Sequence, residues 1–156
     1  MRIALVSAAI PLAPDASRRL AAGLESALRD AGHQAETCLL PYSPAAEDAL
    51  PQRIAYRRME FAAHYDLVVT LRTPAEIIQH PRKVAWLDPD PAPAPETLFD
   101  AALAAGCARA TLLGLREARR VLAPAGRFPH LLAAGLNPGP LPPAGDWTAA
   151  LEALLA

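Results

Sequence analysis

Leu67-Val68-Val69-Thr70-Leu71 and Lys83-Val84-Ala85-Trp86-Leu87 are two strand-length runs, nearly continuous in hydrophobicity, on either side of Thr73-Pro74-Ala75-Glu76-Ile77-Ile78. A strand of a parallel sheet reads this way, because helices cover both of its faces and no polar alternation is required. The intervening segment is too long for a hairpin and reads as a short crossover helix. Working outward, Ile3 to Val6 predicts a first strand. A loop through Pro11 and Pro14 leads to a helix capped by Asp15 or Ser17, with Leu20, Leu24, Leu28 and Ala31 at helical spacing and Gly32 as its stop. Glu36 to Leu40 reads as a second strand ended by Pro41, and Pro51 to His64 as a helix with Ile54, Met59 and Phe61 among its apolar positions.

Beyond Leu87 the run Asp88-Pro89-Asp90-Pro91-Ala92-Pro93-Ala94-Pro95 reads as extended polyproline II. From Glu96 to Arg119 a long helix shows Leu98, Ala101, Ala105, Ala108, Leu112 and Leu115 as one stripe, with Gly106 and Gly114 as points of close approach. Val121 to Ala123 reads as a short strand, Phe128 to Leu136 as a short helix, and Asn137 to Pro143 as loop or edge strand. Asp146 caps a last helix whose Trp147, Leu151 and Leu154 form an apolar face. The expected architecture is a single-domain α/β three-layer sandwich, Rossmann-like, with a mainly parallel sheet of about five or six strands and right-handed crossovers.

At 156 residues, with 53% hydrophobic and 20% charged, the chain has enough apolar material for one core and is no disordered tail. A net charge of −1 gives no electrostatic footprint for nucleic acid. Arg53, Arg57 and Arg58 share a helix and read as a solvated face, or as a place to meet an anionic partner. Cys38 and Cys107 are far apart without metal-like spacing, so free thiols and a cytoplasmic location are expected. The apolar start is cut short by Pro11 and Pro14, and the uncharged stretch at the other end is broken by five prolines; no membrane span is expected. His33, His64, His80 and His130 lack ligand spacing, and Asp88-x-Asp90 reads as a solvated linker rather than a metal pair. Ser7 and Cys38 have no identifiable base. No cofactor and no metal is expected.

Met1-Arg2-Ile3-Ala4-Leu5-Val6-Ser7, the helix end Leu28-Arg29-Asp30-Ala31-Gly32-His33, Tyr65-Asp66-Leu67-Val68-Val69-Thr70-Leu71-Arg72 and His80-Pro81-Arg82-Lys83-Val84-Ala85-Trp86-Leu87 together resemble the N-terminal domain of GT-B glycosyltransferases, the retaining kind that uses nucleotide sugars. The likeness continues through Ala118 to Ala123 and the Leu141-Pro142-Pro143 end of that domain. It implies residues 1–145 as the Rossmann-like domain and residues 146–156 as a terminal helix crossing back onto it, with the donor-binding C-terminal domain missing. Where the family has a glycine-rich turn after the first strand, this chain has Pro11-Leu12-Ala13-Pro14-Asp15, and proline offers no N–H to a phosphate.

Ligands of open parallel sheets bind beyond the carboxyl ends of the strands. That rule places Ser7, Pro41, Arg72, Asp88 and Ala123 on one edge, bordered by Leu12 and Tyr42. Arg72 is suited to gripping a phosphate or carboxylate with both arms of its guanidinium; it is equally suited to pairing with Glu76 or capping a helix. The resemblance leaves three readings. One is an acceptor-binding or regulatory subunit of a glycosyltransferase assembly, not catalytic alone. A second is a non-catalytic interaction module that kept the fold. The third is an autonomous small-ligand binder or transferase at the crevice. The expected partner is another protein chain: a donor-domain subunit, a complete glycosyltransferase or a second copy.

Overall fold

The computed structural model describes residues 1–10, 16–87 and 99–156. Among them six apolar segments form strands: β1 (Arg2–Ala9), β2 (Gln34–Pro41), β3 (Leu67–Arg72), β4 (Lys83–Trp86), β5 (Arg120–Ala123) and β6 (Gly139–Pro140). They make one sheet in the order β2-β1-β3-β4-β5-β6, and every neighbouring pair is parallel. The helices are α1 (Ala16–Asp30), α2 (Ala49–Arg57), α3 (Ala101–Arg116), α4 (Pro129–Ala133) and α5 (Trp147–Leu155).

Successive residues of a strand point to opposite faces, so each strand feeds two cores. On one face Ile3 and Leu5 of β1, Val69 and Leu71 of β3 and Trp86 of β4 pack with Leu24 and Leu28 of α1 and Ala150 and Leu154 of α5. On the other, Ala4, Val6 and Val68 meet Tyr56 of α2 and Ile77 and Ile78 of the crossover. Ala85 and Val121 meet Leu115 of α3 and Leu131 of α4. Each fully buried Leu, Ile or Val stabilises the fold by about 1.5–3 kcal/mol, which is why the pattern of the runs decides the architecture. The result is the three-layer, parallel α/β sandwich of Rossmann-like type that the two apolar runs predict.

Local chemistry sets the ends. Gly32, at φ +84°, closes α1: its N–H bonds Arg29 O at 2.9 Å and the His33 N–H bonds Leu28 O at 3.0 Å, the two bonds of a Schellman stop. At the other end Ser17 lies inside α1 rather than capping it, and Asp15 falls outside the described residues. The terminal helix α5 is capped by Asp146, whose Oδ1 accepts from Ala149 N at 3.0 Å, and it packs beside α1. The Trp147 ring lies on Gly23, where a Cβ would run into the indole, yet Trp147 stays 36% exposed; the expected face is half covered rather than buried.

Three helices differ from the sequence reading. α2 ends at Arg57, short of His64; Ile54 is 59% exposed, and Met59 and Phe61 pack from beyond the helix. The segment after Pro74 is a single 3-10 turn, Ala75–Ile77. α3 starts at Ala101, capped by Asp100, whose Oδ1 accepts from Leu103 N at 2.8 Å. Its predicted stripe holds only at the C-terminal end: Leu115 is buried and Leu112 packs against the core, whereas Ala101, Ala105 and Ala108 are exposed, Cys107 is buried in their place, and Leu98 lies outside the described residues; Gly114 is the close approach the sequence suggests. The polyproline reading of 88–95 lies outside the described residues.

Candidate functional site

Because all six strands run the same way, their carboxyl ends share one edge, formed by Ala9, Pro41, Arg72, Trp86 and Ala123. The chain winds outward from β1 to β2, then returns across β1 to β3 and continues the other way. The crevice of such a sheet opens where the winding reverses, between β1 and β3. At that point the ladder shifts register: Val6 faces Thr70 but Ser7 faces Arg72, so β3 carries one extra residue, Leu71. A bulge bends its strand and re-aims the residues beyond it.

The sequence-predicted site residues distribute as follows. Ser7 is fully buried, and its hydroxyl shares a 2.8 Å hydrogen bond with the hydroxyl of Ser17, tying β1 to the first turn of α1. Arg72 is half-buried, opposite Ser7. Pro41 is exposed at the end of β2, and its carbonyl accepts from the Tyr56 hydroxyl. Burial, then the neighbouring Tyr42, pushes the Tyr56 phenol up to about 12. Tyr42 itself is buried in the core beneath the edge. Ser7, Pro41, Tyr42 and Arg72 thus gather at the ends of β1, β2 and β3. Leu12 and Asp88 lie outside the described residues, as do Pro11 and Pro91.

Between the sheet and helices α2 and α3, at the amino end of β4, lies a buried polar cluster that sequence reasoning missed. Lys83 of β4 is fully buried, and its Nζ donates to the carbonyls of Glu76 and Ile78, at 2.7 Å each. Burial draws its ammonium down to about 8, with the charges of Glu117 and Glu76 pulling the other way. The Glu76 carboxyl is also buried and accepts from the Thr111 hydroxyl of α3 at 2.7 Å; burial is the main force raising its pKa. Glu76 is thus engaged with α3. Arg53 is 3% exposed with Nη1 on Ala49 O at 3.1 Å, and Arg57 forks onto Glu117 at 3.0 and 2.7 Å. The expected solvated arginine face is thus part core and part interhelical tie. Hydrogen bonding to Arg57 holds the Glu117 carboxyl below its usual range. The available signal was a lysine and a glutamate set in segments that a parallel sheet must cover on both sides.

Open grooves lie along the opposite edge, and two of them are the larger. One, of about 720 Å³, is lined by Arg57, Arg58, Met59, Gln79 and His80 among others. The other, of about 670 Å³, includes Arg2, Arg29, His33, Glu36, His64 and Tyr65. Both lie where strands begin, away from the ligand edge of a parallel sheet. His80 is committed to the backbone, with Nε2 on Tyr65 O at 3.0 Å and Nδ1 on Arg82. Among the described residues no three His, Cys, Asp or Glu side chains converge as metal ligands, Cys38 and Cys107 are not disulfide-bonded, and no helix is long and apolar enough to cross a membrane.

Chemically, the edge carries a half-buried guanidinium, Arg72, and a serine whose hydroxyl is bound to a second serine. Compared with known proteins, the chain matches no family model, no curated protein and no solved structure. The Rossmann-like α/β fold is carried by the topology; the likeness to GT-B glycosyltransferases rests on the residues that suggested it.

Proposed function

We propose that this chain is a glycosyltransferase-like subunit that binds an acceptor or a partner chain at the carboxyl edge of its sheet and does not transfer sugar by itself. The observation that carries the reading is the register shift at the β1/β3 switch point, which sets Arg72 opposite Ser7 at the crevice. An arginine there suits a carboxylate, a phosphate or an acidic residue of a partner. The Ser7 hydroxyl is spent on Ser17, which supports binding rather than nucleophilic chemistry at this position. The sequence Pro11-Leu12-Ala13-Pro14 supports the same conclusion for the donor, since its two prolines lack the N–H that a glycine at the same place offers to a pyrophosphate.

Calorimetry of the chain against UDP-, GDP- and dTDP-sugars is the test. No binding tighter than about 100 μM, roughly 5.5 kcal/mol, is expected. A tighter complex, or sugar transfer by the chain alone, contradicts the proposal.

A further inference from the structure

We propose that the outer face of α2 is a self-complementary contact, through which two copies of this chain pair α2 against α2, antiparallel, about a two-fold axis. The polarity of α2 is inverted. Its inward face buries Arg53, 3% exposed, beside Ala49 and Tyr56, while its outward face shows Leu50 and Ile54 to water at 40% and 59%. Pro51 and Ala55 are exposed beside them, so these apolar side chains form one stripe on the surface. Neighbouring α3 extends it. Gly106 has no side chain, and a Cβ there would stand 3.8 Å from Leu50 Cδ2, so Leu50 leans over α3. Leu113, two turns further along the same face of α3, is 45% exposed, and the Arg57–Glu117 fork closes the seam beyond it. A helix that hides a cation and shows leucine and isoleucine is patterned for a cover from outside the monomer.

Charge selects the occupant. Glu47, in the 3-10 turn Ala46–Asp48 that leads into α2, and Arg58, at the C-cap, lie three helical turns apart at opposite ends of the stripe. Both are exposed, and neither has a hydrogen bond or ion pair among the described residues. An acid at one end and a base at the other, on one helix face, complement the same face turned round. A two-fold axis crossing α2 between Gln52 and Arg53 sets Glu47 against the partner's Arg58 and Pro51 against the partner's Ile54, and isologous symmetry repeats each contact. The two charges also sit at the ends of α2 that its own dipole favours, so pairing is separable from helix stability only by exchanging them. One short helix and a neighbouring leucine make a small contact, at the low end of interface sizes; the pair forms at about 0.1–1 mM and is dissociated at micromolar concentration.

Sedimentation of the purified chain from about 10 μM to about 1 mM reads the association. The native mass is expected to rise toward that of two chains. Glu47→Arg and Arg58→Glu, each alone, set like charges across the axis and should weaken pairing by about tenfold or more, and Ile54→Asp should abolish it. The double variant Glu47→Arg with Arg58→Glu should regain it, although both charges then oppose the dipole of their own helix. An equimolar mixture of the two single variants should regain it too, and decides the matter if the double variant does not fold. A native chain that stays monomeric to about 1 mM overturns the proposal, as does a mixture that pairs no better than its components. Association that survives Ile54→Asp at native strength runs through another surface and overturns it as well.

Discussion

Lys83 sits inside an apolar strand with its ammonium sealed from water and bound to two carbonyls of the crossover turn. A buried cation is poor stabilisation in itself, since desolvation offsets most of what its bonds contribute. Its value is positional: it fastens the turn that follows β3 to the strand that comes next. The native ammonium gives up its proton near pH 8, whereas the unfolded chain holds it to about 10.4. Between those values the unfolded state binds more protons, so this group makes stability rise with pH. Cys38, whose thiol burial pushes up, acts in the opposite sense, so the comparison must be between native protein and Lys83→Met. The variant is expected to lose about 1–3 kcal/mol at neutral pH by orphaning buried carbonyls, and to lack the alkaline gain. Denaturant melts across that range check both. Lys83 was legible as a strand residue and illegible as a tether, because hydropathy registers a lysine's cost and not the two carbonyls that wait for it.

Elements were read well where contrast was strong and poorly where it was weak. Leu20, Leu24 and Leu28 are large enough to fix which face of α1 is inward, and Leu24 and Leu28 are fully buried. In α3 the leucine end of the predicted stripe holds, with Leu115 buried and Leu112 packed on the core, while its alanine end, whose burial carries little free energy, faces out. Gly114 lets the α3 backbone lie on the Glu76–Ile77 backbone, the close approach its place in the sequence suggests. Gly114→Val is expected to force the two apart and destabilise the fold by about 1–3 kcal/mol, with the exchange protection of Ile77 and Ile78 falling first. A melt and exchange pattern unchanged by this substitution would remove the close approach from the account. Edge strands show the same economy. On β2 the Ala35 carbonyl is taken by Arg29 Nε at 2.9 Å, and Pro41 has no N–H to offer, while β6 is two residues long amid prolines. Both devices blunt edges that would otherwise pair with another chain.

For the whole molecule, the fold was legible because strands covered on both faces must be apolar throughout, and the Leu67 and Lys83 runs declare that almost without interruption. The edge proposed for the site was legible too, since parallel strands put all their carboxyl ends together and the winding order then selects β1 and β3. The juxtaposition proposed there was only half legible: Arg72 and Ser7 are set opposite by a one-residue register shift, and no periodicity in the sequence announces a bulge. The central claim, that this edge binds another chain or an anionic acceptor rather than catalysing alone, is tested most directly by purifying the tagged protein from its native host and measuring its mass by light scattering, beside Arg72→Glu. The account predicts a complex, with a donor-domain chain or a complete glycosyltransferase held by the native protein, and a monomer of unchanged melting temperature for the variant. A native protein that runs alone as a monomer, or an Arg72→Glu protein that keeps the same partner, would contradict it.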